Sequence, residues 1–289
     1  MLVPMKEMLE DAKNNHYAIP AFDISNYEMM RAVLEVCEEE RSPALLMALG
    51  VDLTGKGLPL IASMVKEASN FFPVPVCFHL DHATEFGKIK DAIDAGFRSV
   101  MYDGSVLSFQ ENAEKTAEVT KYAHKLGVSV EAELGHVGNA NVGSISEATL
   151  DSDPGESLTV PEEAAKFVEL TQVDALAVAI GTAHGVYQKT PTLRIDRLDA
   201  ITAVCDRPLV LHGGSDTPID QLQTAIHHGI TKINIFSDVL AAMNKGLKDK
   251  LNAVENPAAW PFIVFEDARA LMKDVIREKI RTFGSAGRI

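Results

Sequence analysis

The chain has 289 residues, 46% of them hydrophobic, enough for a large buried core and too many for a disordered segment. Its formal charge of -14 at pH 7 excludes a general binder of nucleic acid or of anionic membranes. An anionic small molecule stays open, because a metal ion or backbone N–H groups can outweigh the global field locally.

Eight short apolar runs rich in Val, Ile, Leu or Ala read as strands buried on both faces: Tyr17–Phe22, Pro43–Leu49, Pro75–Leu80, Arg98–Tyr102, Val128–Ala132, Ala175–Ile180, Pro208–Leu211 and Lys232–Ile235. Amphipathic stretches such as Asn26–Glu40 and Phe86–Ala95 lie between them, the second followed by Gly96 as a helix C′ residue. Thr159-Val-Pro-Glu162 reads as a capping box with an early proline, opening a helix that runs to about Leu170. The stretch Gly135–Ser157 is poor in strand signals and rich in Gly and small polar residues, the composition of a mobile lid. With no linker or low-complexity tract, the alternation predicts one α/β domain over 1–289, a single (β/α)8 TIM barrel; a doubly wound open sheet is the runner-up.

Cys37, Cys77 and Cys205 are far apart, odd in number and without a CxxC, which speaks for a reducing, cytoplasmic setting. The charged opening residues contain no signal-peptide core, and no apolar run reaches the length of a membrane span.

Barrel chemistry sits at the C-terminal ends of the strands. Those ends read Phe22-Asp23, His79-Leu-Asp81-His82, Tyr102-Asp103-Gly104, Glu131-Ala-Glu133, Gly181-Thr-Ala-His184-Gly185, His212-Gly-Gly-Ser215 and Asn234-Ile-Phe-Ser237. One such residue merely marks where a strand stops, but His, Asp and Glu recurring at successive ends point to a site. His82, His184 and His212 are candidate metal ligands: three neutral imidazoles and an open position make a catalytic zinc pattern, against the alternative of hydrogen-bonded rim histidines. His16, His124, His136, His227 and His228 are set aside, with His124 and the His227-His228 pair expected in solvent. Asp81 either moves protons on a metal-bound substrate or orients a histidine; along the strand it shares a face with His79, while His82 belongs to the turn beyond. Glu133 and Asp103 are candidates for a fourth ligand or an alternative metal position, against ion pairs in the barrel mouth. The glycines of His212-Gly213-Gly214-Ser215, with Ser215 and Ser237 hydroxyls, fit a phosphate site after the seventh and eighth strands.

Over nearly its full length the chain resembles the class II, metal-dependent fructose/tagatose-bisphosphate aldolases. The matching stretches are YAIPAFDISNYE, HLDHATEFGKIKDAIDAGFRSVMYDGS, VSVEAELGHVGN, VDALAVAIGTAHGVY, PLVLHGGSDTP, GITKINIFSD and IRTFGSAGRI. The resemblance implies reversible cleavage of a ketose 1-phosphate or 1,6-bisphosphate to dihydroxyacetone phosphate and an aldehyde, through a metal-stabilised enediolate. It implies one catalytic zinc on His82, His184 and His212, Glu133 as a carboxylate that can bind the metal at rest, and Asp103 near an alternative metal position. Asp81 would be the acid/base and Asn234 would steady the enediolate. Gly185, Gly213, Gly214, Ser215, Asn234, Ile235, Phe236 and Ser237 would clamp the dihydroxyacetone phosphate half. A monovalent cation is a further candidate cofactor, and a homodimer or homotetramer is the expected assembly.

The sequence also departs from the common pattern. Asp23 stands where many relatives have Asn, and Asn139 and Asn141 stand where a lid glycine and a catalytic glutamate are expected. SDVLAAMN has no basic residue before Lys245, Asp238 adds negative charge there, and Gln188 replaces a frequent lysine. These changes predict an acceptor without a far phosphate. Two other classes compete: a barrel metallohydrolase, which would not need the GGS and NIFS stretches, and a non-catalytic metabolite-binding relative, for which the missing lid glutamate speaks and the intact Asp81 and histidines do not.

Overall fold

The computed structural model describes residues 2–139, 158–185, 187 and 189–289. In chain order the elements are α1 (Met5–Asn14), β1 (Ile19–Asp23), α2 (Tyr27–Glu40), β2 (Ala44–Leu49), α3 (Gly57–Ala68), β3 (Val76–Ala83), α4 (Phe86–Ala95), β4 (Ser99–Tyr102), α5 (Phe109–His124), β5 (Ser129–Leu134) and β6 (Gly138–Asn139). There follow α6 (Pro161–Thr171), β7 (Ala175–Val178), β8 (Ala183–His184), α7 (Ile195–Thr202), β9 (Leu209–Leu211), α8 (Ile219–His227), β10 (Ile230–Ile235), α9 (Ser237–Ala253), α10 (Pro261–Val264) and α11 (Glu266–Phe283). Eight strands close into a barrel in the order β1-β10-β9-β7-β5-β4-β3-β2, and every pairing is parallel. This is the expected (β/α)8 barrel; the open sheet is excluded by the β1–β10 ladder, which pairs Ile19 with Lys232 and Phe22 with Ile235.

Alternation along the strands sorts side chains into an outer and an inner layer. Phe22, Leu46, Phe78, Val100, Val130, Leu176, Leu211 and Ile233 face outward into the core beneath the helices. Each such large side chain contributes about 1.5–3 kcal/mol by leaving water. Ile19, Ala21, Leu45, Met47, Cys77, Ala175, Ala177 and Val210 fill the barrel interior together with Met5, Met8, Leu9 and Ala12 of α1. Helix α1 thus stoppers the N-terminal mouth, and its Lys6 N–H donates to Ser129 Oγ at the start of β5 at 3.0 Å.

The helices form where their apolar stripes predict them. Asn26 caps α2 by accepting from Met29 N at 2.9 Å, and Gly96 closes α4 in the left-handed region at φ 106°. The expected capping box at Thr159 does not form. Helix α6 does begin with Pro161, but its N-cap is Val160, without a side-chain bond. Thr159 instead stitches two strand ends together, donating to Leu134 O and accepting from Ala179 N. Two orphan barrel groups next to the site outcompete a helix end that water can satisfy.

Behind the barrel, α11 packs against α9 and α2. Across the α2–α11 seam Arg269 pairs with Glu28, Lys273 with Glu35 and Glu39, Arg277 with Glu39 and Glu40, and Arg281 with Glu40. Among the described residues no helix is long and apolar enough to cross a membrane.

Candidate active site

A cavity of about 320 Å³ opens at the C-terminal ends of the strands. Asp23, Asp81, His82, Asp103, His184, Gly185, Gly213, Ser215, Asn234, Phe236 and Ser237 line it, with Leu49, His136 and Val137. Residues from eight separate stretches of sequence therefore converge on one space. Glu133 and His212 lie buried at the same end, at 1% and 0% exposure.

Three imidazoles meet there. The ring centres of His82, His184 and His212 are 4.7–5.6 Å apart. One ligand atom from each lies within 4.8 Å of the others, and His82, Asp103 and Glu133 form a second such group. His82 is not in a turn beyond the strand, as the sequence suggested. It lies inside β3 at an irregularity in the β3–β4 register, with φ 46°. That left-handed backbone is costly for a residue with a Cβ. It breaks the strict in-and-out alternation, so both Asp81 and His82 reach the cavity. His184 arrives differently. It sits on β8, which pairs in parallel with β6 outside the barrel, Gly138 opposite Ala183 and Asn139 opposite His184. The turn after His212 presses against the same strand. Gly213 has φ 67°, and a Cβ there would collide with the carbonyl oxygen of Ala183. Tyr187 ties both together, its hydroxyl accepting from Ala183 N at 2.8 Å and donating to Gly213 O at 2.9 Å.

The donor set suits a divalent cation. His82 Nε2, His184 Nε2, His212 Nδ1 and Glu133 Oε2 are buried without a hydrogen-bond partner. Each would be costly to leave so, and all four belong to the cluster. In His82 and His212 the opposite ring nitrogen is satisfied: His82 Nδ1 lies 2.8 Å from Asp103 Oδ2 and His212 Nε2 lies 2.9 Å from Glu131 Oε1. His212 Nδ1 and Glu133 Oε2 are 3.3 Å apart. Burial opposes charge on the His212 ring, yet its hydrogen bond to Glu131 and the neighbouring Glu133 carboxylate push its pKa up to about 10. The site calls for added positive charge at that ring. Burial and the neighbouring His82 and His212 hold His184 well below the ordinary histidine range, in the neutral form a metal requires. Asp103, which the sequence left between metal position and ion pair, holds His82 and lies in the second group as well.

Asp81 is buried at 3% exposure beside the cluster. Burial works against its charge, but His82 and His212 outweigh that and hold its carboxyl below the usual range. Asn234 Nδ2 reaches Asp81 Oδ1 at 3.4 Å, and Asn234 Oδ1 is buried without a partner. Asp23 is pushed the other way, well above the carboxylate range, by burial and by Asp81. Burial and mutual repulsion thus drive the pair apart, Asp81 being the easier to ionise and Asp23 the harder.

The phosphate-clamp candidates divide. Ser237 opens α9, whose N-terminus faces the cavity rim, and Ser215 Oγ accepts from Phe236 N at 3.2 Å and Asp238 N at 3.3 Å. Gly214 donates to Asn234 O at 3.1 Å and packs on Ile233 and Ile235, and the Ile235 side chain lies in the outer core. The side chain of Ile235 is therefore not part of a clamp, because strand alternation turns it away from Asn234. Asp238 is likewise not a free negative charge at the cavity. It pairs with Lys279 at 2.7 Å and accepts from Asp216 N at 3.1 Å.

Sequence reasoning placed His79 and Glu131 at the strand ends but missed the polar layer that they form with Lys232 beneath the site. His79, Glu131 and Lys232 are each 0% exposed inside the barrel. Each stands two residues before a site residue on its own strand: Asp81, Glu133 and Asn234. That spacing was a readable sign of an inward face. His136, set aside earlier, lines the cavity and lies 3.0 Å from Ser105 Oγ. His124 is not simply solvated; its Nε2 lies 2.8 Å from Asp174. The lid expected over Gly135–Ser157 falls, from residue 140 on, outside the described residues, as do Asn141 and Gln188.

Residues 3–288 match the family model of class II fructose-bisphosphate aldolase. A crystal structure of the YdjI aldolase from Escherichia coli K12 superposes with a TM-score of 0.87 at 33% identity, covering 100% of this chain and 99% of that one. A putative fructose-1,6-bisphosphate aldolase from Coccidioides immitis superposes with a TM-score of 0.87 at 28% identity, covering 98% and 96%. The fold is also that of a fructose-bisphosphate aldolase from Campylobacter jejuni, at 20% identity, 100% and 97% coverage and a TM-score of 0.82. A carbon–carbon lyase of the class II aldolase type is what this barrel carries, and the chain belongs to the class II fructose-bisphosphate aldolase family.

Proposed function

We propose that the enzyme is a zinc-dependent aldolase that cleaves a ketose 1-phosphate to dihydroxyacetone phosphate and an aldehyde lacking a far phosphate. One observation carries the reading: three partnerless histidine nitrogens converge beside the buried carboxyl of Asp81. His82, His184 and His212 would hold the ion, with Glu133 as a fourth donor. Bound there, zinc supplies Lewis acidity to the substrate ketone and stabilises the charge left by bond cleavage.

The protein's own groups do the rest. Asp81 takes the proton of the C4 hydroxyl as the C3–C4 bond breaks, and the bonding electron pair stays with the three-carbon half. In synthesis Asp81 returns that proton. Asn234, held against Asp81, aims its amide at the three-carbon half. Gly185, Gly213, Ser215, Ser237 and the N-terminus of α9 hold the near phosphate and fix its orientation.

The absence of a far-phosphate site rests on charge. Among the described residues no lysine or arginine lines the cavity, and arginine is the usual bidentate partner of a phosphate. The three cysteines are buried and unpaired, which supports a cytoplasmic setting. The test compares cleavage of fructose and tagatose 1-phosphates with that of the 1,6-bisphosphates, with zinc and with chelator. Loss of cleavage with chelator and a preference for the monophosphates are expected. A bisphosphate favoured tenfold or more in kcat/KM, about 1.4 kcal/mol, overturns the acceptor reading; full activity in chelator overturns the metal.

A further inference from the structure

Directly beneath the histidine cluster the barrel holds a lysine that the proposed reaction does not use. Lys232 is fully buried, and its ammonium lies 3.1 Å and 2.9 Å from the two carboxylate oxygens of Glu131. Glu131 is equally buried, and its Oε1 is 2.9 Å from His212 Nε2. Stability alone does not account for such a pair. Taking both charges out of water costs about what their attraction returns, and apolar residues of similar size often serve as well.

Geometry gives a second account. His212 can offer only one nitrogen to a cation, and Nδ1 is the one that faces the cluster. It is free to do so only while the ring hydrogen sits on Nε2, and an acceptor at Nε2 keeps it there. Oε1 of Glu131 is that acceptor. A carboxylate can turn about its last bond, however, and Lys232 grips both oxygens at once, so the plane is set from below. His79 stands against the same carboxylate, its Nε2 3.9 Å from Glu131 Oε2, with its Nδ1 engaged by Ser99 Oγ at 2.8 Å.

We propose that Glu131 and Lys232 act as one positioning unit for the metal site: Glu131 holds His212 with its hydrogen on Nε2 and its lone pair on Nδ1, and Lys232 holds Glu131. The unit touches neither substrate nor reacting atoms. The inference rests on reading His82, His184 and His212 as metal ligands.

The experiment measures zinc affinity by chelator competition in the full chain. It covers the unaltered protein, Glu131→Gln, Lys232→Met and the double variant, with the ¹⁵N resonances of the His212 ring recorded for each. Each single change is expected to weaken zinc binding about 10–100-fold and to move the Nε2–H signal of His212. The double variant is expected to be no weaker than the weaker single, since the two residues act in series. Unchanged affinity in both single variants overturns the proposal, and so do losses that add, which would mean that Lys232 acts by another route. If Lys232→Met does not fold, the near-isosteric Glu131→Gln still decides through its zinc affinity and ring signal. Failure of the unaltered protein to bind zinc refutes the metal-ligand reading itself, a result distinct from unchanged variants of a zinc-binding protein.

Discussion

Asp103 Oδ2 lies 2.8 Å from Nδ1 of His82, while Nε2 of the same ring is buried at the cluster with no partner. A carboxylate on one face of an imidazole fixes which nitrogen is free for the other face. Asp103→Ala should leave His82 in place but free to rotate and change tautomer. Zinc affinity is expected to fall about 10–100-fold. Chelator competition checks this, and an unchanged affinity would return Asp103 to the status of a rim carboxylate.

Asp81→Ala should separate chemistry from binding. Carbon–carbon cleavage is expected to fall by about 10²–10⁴-fold, the usual contribution of a positioned acid/base. Zinc content and dihydroxyacetone phosphate binding should persist. Metal analysis alongside single-turnover kinetics reads both, and a variant that loses its zinc would make Asp81 a structural partner of the histidines.

Tyr187→Phe removes one hydroxyl, orphans Ala183 N–H and leaves Gly213 O with the Thr217 hydroxyl alone. An unsatisfied group of this kind costs about 1–3 kcal/mol when it cannot reach water. The strand bearing His184 and the turn after His212 should loosen together. A higher KM for the phosphorylated substrate is expected, with a lowered thermal midpoint; kinetics and calorimetry on the same preparation test it. A rise in neither would show that the two segments are held by other contacts.

Acid should loosen the seam between α2 and α11. Burial opposes ionisation of Glu35, but Arg31 and Lys273 outweigh it and lower its pKa; Lys273 and Arg277 lower that of Glu39, and Arg281 that of Glu40. A depressed folded-state pKa stabilises fully above the unfolded value, about 4.3 for Glu, and the contribution is lost as pH falls through the lower folded value. Glu39 is 45% exposed, so its share is screened. Each pair contributes about 0.2–1 kcal/mol. The urea midpoint is expected to fall from about pH 5 downward. Arg277→Ala should flatten that fall, and an identical slope in the variant would place the acid lability elsewhere.

The barrel was legible because buried parallel strands are short apolar runs, and each expected run overlaps an observed strand. The three clustered histidines were legible because they follow three of those runs. What stayed hidden depended on which way a side chain turns. The left-handed backbone at His82 cannot be read from its neighbours, so β3 was ended at Leu80, three residues before Ala83. Glu131 and Lys232 looked like strand boundaries, although each lies two residues below a site residue. Thr159 has the composition of a cap but is drawn to Leu134 and Ala179, a choice made by tertiary structure alone. His184 belongs to a strand pair only two residues long, below what periodicity can reveal.

Helix α1 seals one end of the barrel with Met5, Met8 and Leu9, and Met5 also meets Ser99 at the first residue of β4. Among the described residues the barrel therefore has a single doorway. Substrate, both products and every proton exchanged with bulk water share the mouth that the histidines occupy, with no rear exit among those residues. Whichever product half is seated deeper must wait for the other to leave, so the architecture itself imposes an order of departure before any residue at the rim is considered.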